Sequence, residues 1–368
     1  MRRRLRHVIR KELLQIRRDR RIMAMLIVAP LFQLFIFGYA VSLDIKHVPL
    51  VVCDRDRSAE SRELVESFFR SEYFDLERRV DSPAELDEYL TSGRALVAVY
   101  LPDDFSKRRA RGETAEMQVI IDGTDMNSAG VAAGYVGALV KHHVERQMRA
   151  ARVRAPVSNQ PRIWYNPDLN SVNYMVPAVI CTILATVMTA ATALGLVRER
   201  EAGTLEQLIV TPIRPIELML GKTLPFAGIG LLDVGLIVLL ARFWFGVEVA
   251  GSVPLLFLSA ALFLLTTLGL GMFISTVSRT QQQAMLTAFF VIIPSVLLSG
   301  FVFPIANMPQ VVQWLTYFIP LRYFVTIVRG IFLQGVGTGV LWPQFLALVV
   351  SGGAIFTLSA LRFQKRLG

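Results

Sequence analysis

Charge is scarce in this sequence. Asp, Glu, Lys and Arg make up 18% of the 368 residues, against about a quarter in soluble domains. Cysteine is nearly absent: two residues, Cys53 and Cys181, exclude a disulfide framework, and Cys181 falls in an apolar run where Cys53 is not expected to meet it. Histidine is almost as rare, at four. The one grouping that suggests a metal, His142-His143 with Glu145, places its histidines on different faces of a helix, so no metal site is expected. No Ser/His/Asp or Cys/His set has the spacing of a catalytic constellation, so no catalytic residue is assigned and intrinsic enzymology is not expected.

What the chain has instead is apolar length. Hydrophobic residues reach 53%, above the usual 45–50% or so. The net charge of +10 would fit a nucleic-acid partner if the bases were interleaved with aromatics. They are not. Residues 1–21 hold ten Lys/Arg and two acids, a net of +8, and their one aromatic is His7, whereas residues 42–172 carry a net of −3. A basic segment directly before an apolar run is attracted to anionic lipid headgroups and stays in the cytoplasm, so no nucleic acid is expected.

A span needs about 20 apolar residues. Ile22 to Leu43 carries no charge, and no A-x-A cleavage pattern follows it, so a retained signal-anchor is expected. Further spans are read at 173–197, 223–241, 254–277, 284–303 and 341–361. Six spans put both ends on one side, and the basic 1–21 and the tail 362–368 (Arg362, Lys365, Arg366) make that side the cytoplasm. The half-apolar stretch 304–340, broken by Pro309, Pro320 and several glycines, suits a re-entrant or interfacial pair of short helices, although Arg322 and Arg329 there run against the charge rule.

Residues 44–172 lie between the first two spans, on the far side of the membrane. Short β-rich runs at 48–53, 95–100 and 117–121 alternate with helical patterns at Ser58–Phe69 and Ser82–Leu90. A long helix follows at about Ser128–Ala151. Ser82 with Glu85 forms a capping box, and strand–helix alternation implies a small mixed sheet. The Pro-, Asn- and Gln-rich stretch from Pro156 to Pro167 is the linker back to the membrane. The expected fold is thus a six-helix membrane bundle with an inserted extracytoplasmic α/β domain.

Two cytoplasmic segments carry the functional pattern. In the first, Leu5, Val8, Ile9, Leu13 and Ile16 share one face of a helix whose other face is arginine, an amphipathic helix lying along the inner leaflet. In the second, residues 198–222, Gly203 ends a helix, Thr204 caps a new one with Gln207 three residues on, Pro212 stops it and Pro215 opens the third span. A short bounded helix with Leu205, Leu208 and Ile209 as an apolar knob is built to dock.

Arg198-Glu-Arg-Glu-x-Gly203-Thr-Leu-Glu-Gln-Leu-x-Val-Thr-Pro212, followed by Glu217-Leu-Met-Leu-Gly221-Lys222, resembles the coupling-helix region of ABC-2 type transporter permeases, the export-class membrane subunits of ABC transporters. Arg10-Lys11-Glu12-Leu13-x-Gln15-x-x-Arg18-Asp19 is similar to that family's cytoplasmic elbow. Asn173-Tyr174-Met175-Val176-Pro177 is similar to the opening of its second span, and Gln281–Ala284, Ser299-Gly300-Phe301-x-Phe303-Pro304 and Asn307-Met308-Pro309 to its fifth span and re-entrant segment. The resemblance covers nearly the whole chain and is closest to the branch with a large external domain, linked with drug and hydrophobic-compound efflux.

The resemblance implies that Glu199, Arg200, Glu201, Gly203, Thr204, Leu205, Glu206 and Gln207 contact an ATP-binding subunit. It further implies that a second permease, identical or a sister, pairs through the second and fifth spans around a cleft, in an inner membrane. By analogy the external domain suggests a periplasmic membrane-fusion protein. ATP and Mg belong to the partner, and this chain is expected to bind no cofactor. Gly221-Lys222-Thr223 looks like the end of a P-loop, but position 216 is Ile216 where the loop needs glycine.

Tyr174, Thr182, Thr186, Thr189, Asp233, Ser295 and Phe301 are the candidates for a translocation path. A carboxylate such as Asp233 in mid-span is costly and usually functional. The threonines, with Thr192, recur at helical spacing and equally suit helix packing. The leading expectation is the permease of an ATP-driven exporter working by alternating access. A second expectation, of another class, is an ATPase-coupled protein that acts on the envelope through its external domain.

Overall fold

The computed structural model describes residues 2–40, 47–150, 164–166, 171–203 and 215–364. It divides into two compact units, Ser42–Arg162 and the remainder, Met1–Val41 with Ile163–Gly368.

Within the first unit, strands β1 (Val48–Asp54), β2 (Phe74–Arg79), β3 (Val97–Leu101) and β4 (Gln118–Ile121) form one sheet in the order β2-β1-β3-β4. β1 runs parallel to β2 and β3, and β4 closes the edge antiparallel to β3. Alternate residues of a strand face opposite sides, and β1 is buried on both. Val48, Leu50 and Val52 pack with Leu64, Val65 and Phe68 of helix Ala59–Phe69 and with Ala132 and Val136 of helix Met126–Ala150. Val51 and Cys53 pack with Leu86 and Tyr89 of helix Pro83–Thr91 on the other side. That two-sided burial is why β1 reads as a continuous apolar run. Ser82 makes both bonds of the expected capping box with Glu85, and the Ser58 hydroxyl caps the helix after it. Such caps are each worth about 1 kcal/mol. β2, absent from the strand pattern, is an edge strand of sequence Phe-Asp-Leu-Glu-Arg-Arg with all but Phe74 exposed. The helix Phe105–Ala110 was also absent from it.

His142 and His143 make separate side-chain contacts on the long helix. His142 Nδ1 lies 3.3 Å from Arg146 Nη2, and His143 Nε2 lies 2.7 Å from the Gln147 amide nitrogen. His143 is buried, and burial lowers its pKa below the ordinary value; the charge of Glu63 pulls the other way, while Arg109, Arg146 and His142 add to the lowering. The fold therefore favours the neutral ring. Its contribution to stability is complete above the unfolded imidazole value near ~6.5 and is lost as pH falls through the lower folded value. Amide exchange in Ala59–Phe69 and Met126–Ala150, corrected for its intrinsic pH dependence, should accelerate below about pH 6, and His143→Gln should remove the step. An unchanged profile in that variant would contradict the assignment.

In the second unit, four helices among the described residues are long and apolar enough to cross a membrane: Ser171–Glu201, Ile216–Phe243, Val253–Val277 and Thr338–Arg362. The other two runs read as spans form shorter apolar helices, Ala24–Tyr39 and Gln281–Leu297. The latter stops before the expected 303 because Leu298 caps it and Gly300 turns with a φ of 84°. Between residues 304 and 340 the helices Gln310–Thr316 and Pro320–Gln334 meet at 84°. Ser171–Glu201 is the central helix: 78% of its apolar stretch is buried, against 17% for Thr338–Arg362.

Candidate functional site

The lower end of the central helix, where Gly203 adopts the expected left-handed φ of 69°, is where charge concentrates. Glu12 comes from the amphipathic helix Arg2–Arg18, between Val8 and Ile16 at spacings of four, so it shares their buried stripe. Against this stripe lies the helix Pro215–Phe243. A Cβ on its Gly221 would stand 2.5 Å from Val8 Cγ1, so only glycine admits the approach. The neighbouring Lys222 then reaches Glu12 Oε1 at 3.0 Å and Glu199 Oε2 at 2.5 Å. Glu199 Oε1 accepts from Lys11 Nζ at 2.6 Å.

Two carboxylates and two ammonium groups therefore alternate, with Glu12, Glu199 and Lys222 no more than 6% exposed. A buried charge is tolerable only when paired in this way. Burial alone would lower the Lys11 pKa, but the bond and charge of Glu199, then those of Glu12, outweigh it and hold the pKa above its ordinary value. Beside the cluster Arg198 pairs with Asp19, on an open face lined by His7, Arg10, Arg18 and Arg20.

The next two residues hold two more helices. Arg200 Nη1 donates to Ser278 O at 2.7 Å and Ser275 O at 3.4 Å, at the carboxyl end of Val253–Val277. Glu201 accepts from Gln281 N at 2.7 Å and from its side-chain amide, at the amino end of Gln281–Leu297. A cation at a helix C-terminus and a carboxylate at an N-terminus both match the helix dipole. Glu199, Arg200 and Glu201 thus fasten the central helix to four others. Glu199, expected as an outward contact, is instead committed inside the chain, because its burial leaves it no surface to offer.

This alternation of short ion pairs ties three helices together at one point. Lys222 is likewise bound to carboxylates in mid-helix, and the Gly221-Lys222-Thr223 triplet serves helix packing. Thr204, Leu205, Glu206 and Gln207 lie outside the described residues.

The sequence profile of the ABC-2 family transporter proteins matches residues 20–361. The chain belongs to this family. Its relatives include the probable multidrug ABC transporter permease YbhS of Escherichia coli, 35% identical over 371 residues that cover 99% of this chain and 98% of the relative. The probable multidrug ABC transporter permease YbhR of the same organism is 32% identical over 355 residues, 95% of this chain and 96% of the relative. The inner membrane transport permease YhhJ is 34% identical over 350 residues, 91% and 92% of the two chains.

In this ABC-2 family member the candidate path residues scatter. Thr182, Thr189 and Thr192 are buried. The hydroxyls of Thr182, Thr186 and Thr192 donate to carbonyls of their own helix, and Thr189 donates across to Thr267 O at 3.3 Å. The Thr189 bond joins two helices, whereas the others return each hydroxyl to the backbone of its own helix. Ser295 likewise bonds Val291 O, and Asp233 is buried with Oδ2 unpartnered among the described residues. Phe301 is buried with its ring 5.9 Å from Phe37. Tyr174 lies beneath the Arg329 guanidinium. Lys11, Glu12 and Lys222 went unassigned in the sequence. The signal that could have found two of them is a carboxylate placed on an apolar helical stripe and a lysine directly after a contact glycine.

Proposed function

We propose that this chain is the membrane-spanning permease subunit of an ATP-driven exporter that moves drugs or other hydrophobic or amphipathic compounds outward by alternating access. The observation that carries the reading is the fastening at residues 199–201, which makes the end of the central helix a point where one displacement reaches four other helices. A separate ATP-binding subunit docks on the loop through Thr204, Leu205, Glu206 and Gln207, with Gly203 as its hinge. ATP is bound and hydrolysed there, and its closure shifts the fastened ends as a rigid body. This chain binds no cofactor of its own.

Two permeases, identical or sister chains, meet through the second and fifth spans around a cleft. Six spans with both termini in the cytoplasm accommodate the charge pattern. The uncharged run from Ile22 to Ala40 is helical without a break and about 28 Å long, close to the ~30 Å of a hydrocarbon core. Residues 44–172 then form the external domain, which suits a periplasmic membrane-fusion partner in a Gram-negative inner membrane. The YbhR and YbhS names support the drug class of cargo.

Pull-down of the tagged chain from mild-detergent membranes should recover an ATP-hydrolysing subunit, and Glu206→Arg should abolish its recovery. A chain that elutes alone, without ATPase, would overturn the reading. Recovery and transport unchanged in Glu206→Arg would overturn the docking assignment.

A further inference from the structure

Arg329 is a half-buried cation with no acidic partner among the described residues. It ends the helix Pro320–Arg329, and its Nη1 and Nη2 donate to the carbonyls of Gly300 at 2.9 Å and Phe301 at 3.2 Å. The guanidinium carbon lies 3.8 Å from the centre of the Tyr174 ring. These contacts orient the group without neutralising it, and its Nε is buried with no hydrogen-bond partner. Uncompensated charge among apolar helices is costly and usually functional.

Arg329 lines a cavity of 390 Å³, in which it is the only charged side chain among the described residues. Tyr174 and Thr326 share the lining, together with Gln344, whose Oε1 is also buried without a partner. Ser299 and Gln334 add two further polar groups, and the rest of the wall, including Val325 and Leu341, is apolar. A hollow of this size, with apolar walls and polar groups gathered around one cation, describes a small-ligand site. A planar guanidinium suits carboxylate or phosphate, and the Gln344 amide suits a hydroxyl beside it.

We infer that this cavity binds an anionic amphiphile, its phosphate or carboxylate on Arg329 and its apolar body along Val325 and Leu341. The inference is independent of export, because occupancy is read as binding. The purified full-length chain in phosphatidylcholine nanodiscs should bind radiolabelled dodecyl phosphate saturably. Arg329→Gln should weaken that binding at least about tenfold, and Arg329→Lys should restore part of it. Because Arg329 also holds the Gly300 and Phe301 carbonyls, Val340→Trp serves as an independent block: Val340 lies exposed at the cavity's rim, where an indole narrows the entrance, leaves the guanidinium in place and should also weaken binding. Competition by phosphatidylglycerol but not by inorganic phosphate would identify a lipid headgroup; competition by inorganic phosphate would identify a free anion. Failure of the wild type to bind, equal binding of dodecyltrimethylammonium, or undiminished binding by both Arg329→Gln and Val340→Trp would overturn the inference.

Discussion

Replacing Lys222 with methionine is expected to destabilise the chain by about 3–5 kcal/mol, the usual cost of removing one partner from a buried ion pair. Lys222 bonds both Glu12 and Glu199. Without it, two buried carboxylates share the single ammonium of Lys11, which stands 3.6 Å from one and 2.6 Å from the other. The loss comes from stranded charge rather than lost attraction. Adding Glu12→Gln and Glu199→Gln to Lys222→Met should therefore recover most of it, although each of those changes alone is destabilising. Equilibrium unfolding in mixed micelles measures both quantities. A Lys222→Met chain within about 0.5 kcal/mol of wild type would show that the cluster does not hold these helices. If the proposed coupling is right, the triple variant should keep its fold and its ATP-binding partner while transport falls, because neutral side chains no longer fasten the helix ends.

The second large effect is expected at Gly271. A Cβ there would lie 2.6 Å from Thr189 O, 2.8 Å from Thr192 Cβ and 3.2 Å from Ala193 N. Two of those atoms are backbone, so neither helix can yield by rotating a side chain. Gly271→Leu should cost at least the upper end of the roughly 1–3 kcal/mol seen for overpacked cores. Gly228→Ala is the control: nothing stands within 4 Å of its added Cβ, and alanine should gain about 0.5–1 kcal/mol in helix propensity. If both substitutions fell on the same side of wild type, close approach of the central helix and Val253–Val277 would not be what Gly271 provides.

Elements whose physics is local were legible in the sequence. The capping box at Ser82, the turn at Gly203 and the helix beginning at Pro215 follow from side chains within three or four residues of each other. β2 was not legible because an edge strand with five exposed residues shows no apolar alternation. Glu199, Arg200 and Glu201 were the harder case. Alternating charge before a glycine looks like a solvated helix end, and its partners stand 23 to 188 positions away in sequence. Residue type announced that something binds there, and only the packing of distant helices showed that the chain binds itself.

Those sequence separations also impose an order on synthesis. Lys11 and Glu12 are made early, but their partners Glu199 and Lys222 follow 188 and 210 residues later. At about 5–20 residues per second, the wait is on the order of 10–40 s. Throughout it, Glu12 and Lys11 are without those partners, and the unit Ser42–Arg162, complete by then, has time to fold first. The clasp cannot be completed until Lys222 is made, so a nascent chain truncated before it can hold its first segment only through the Lys11–Glu199 and Asp19–Arg198 pairs.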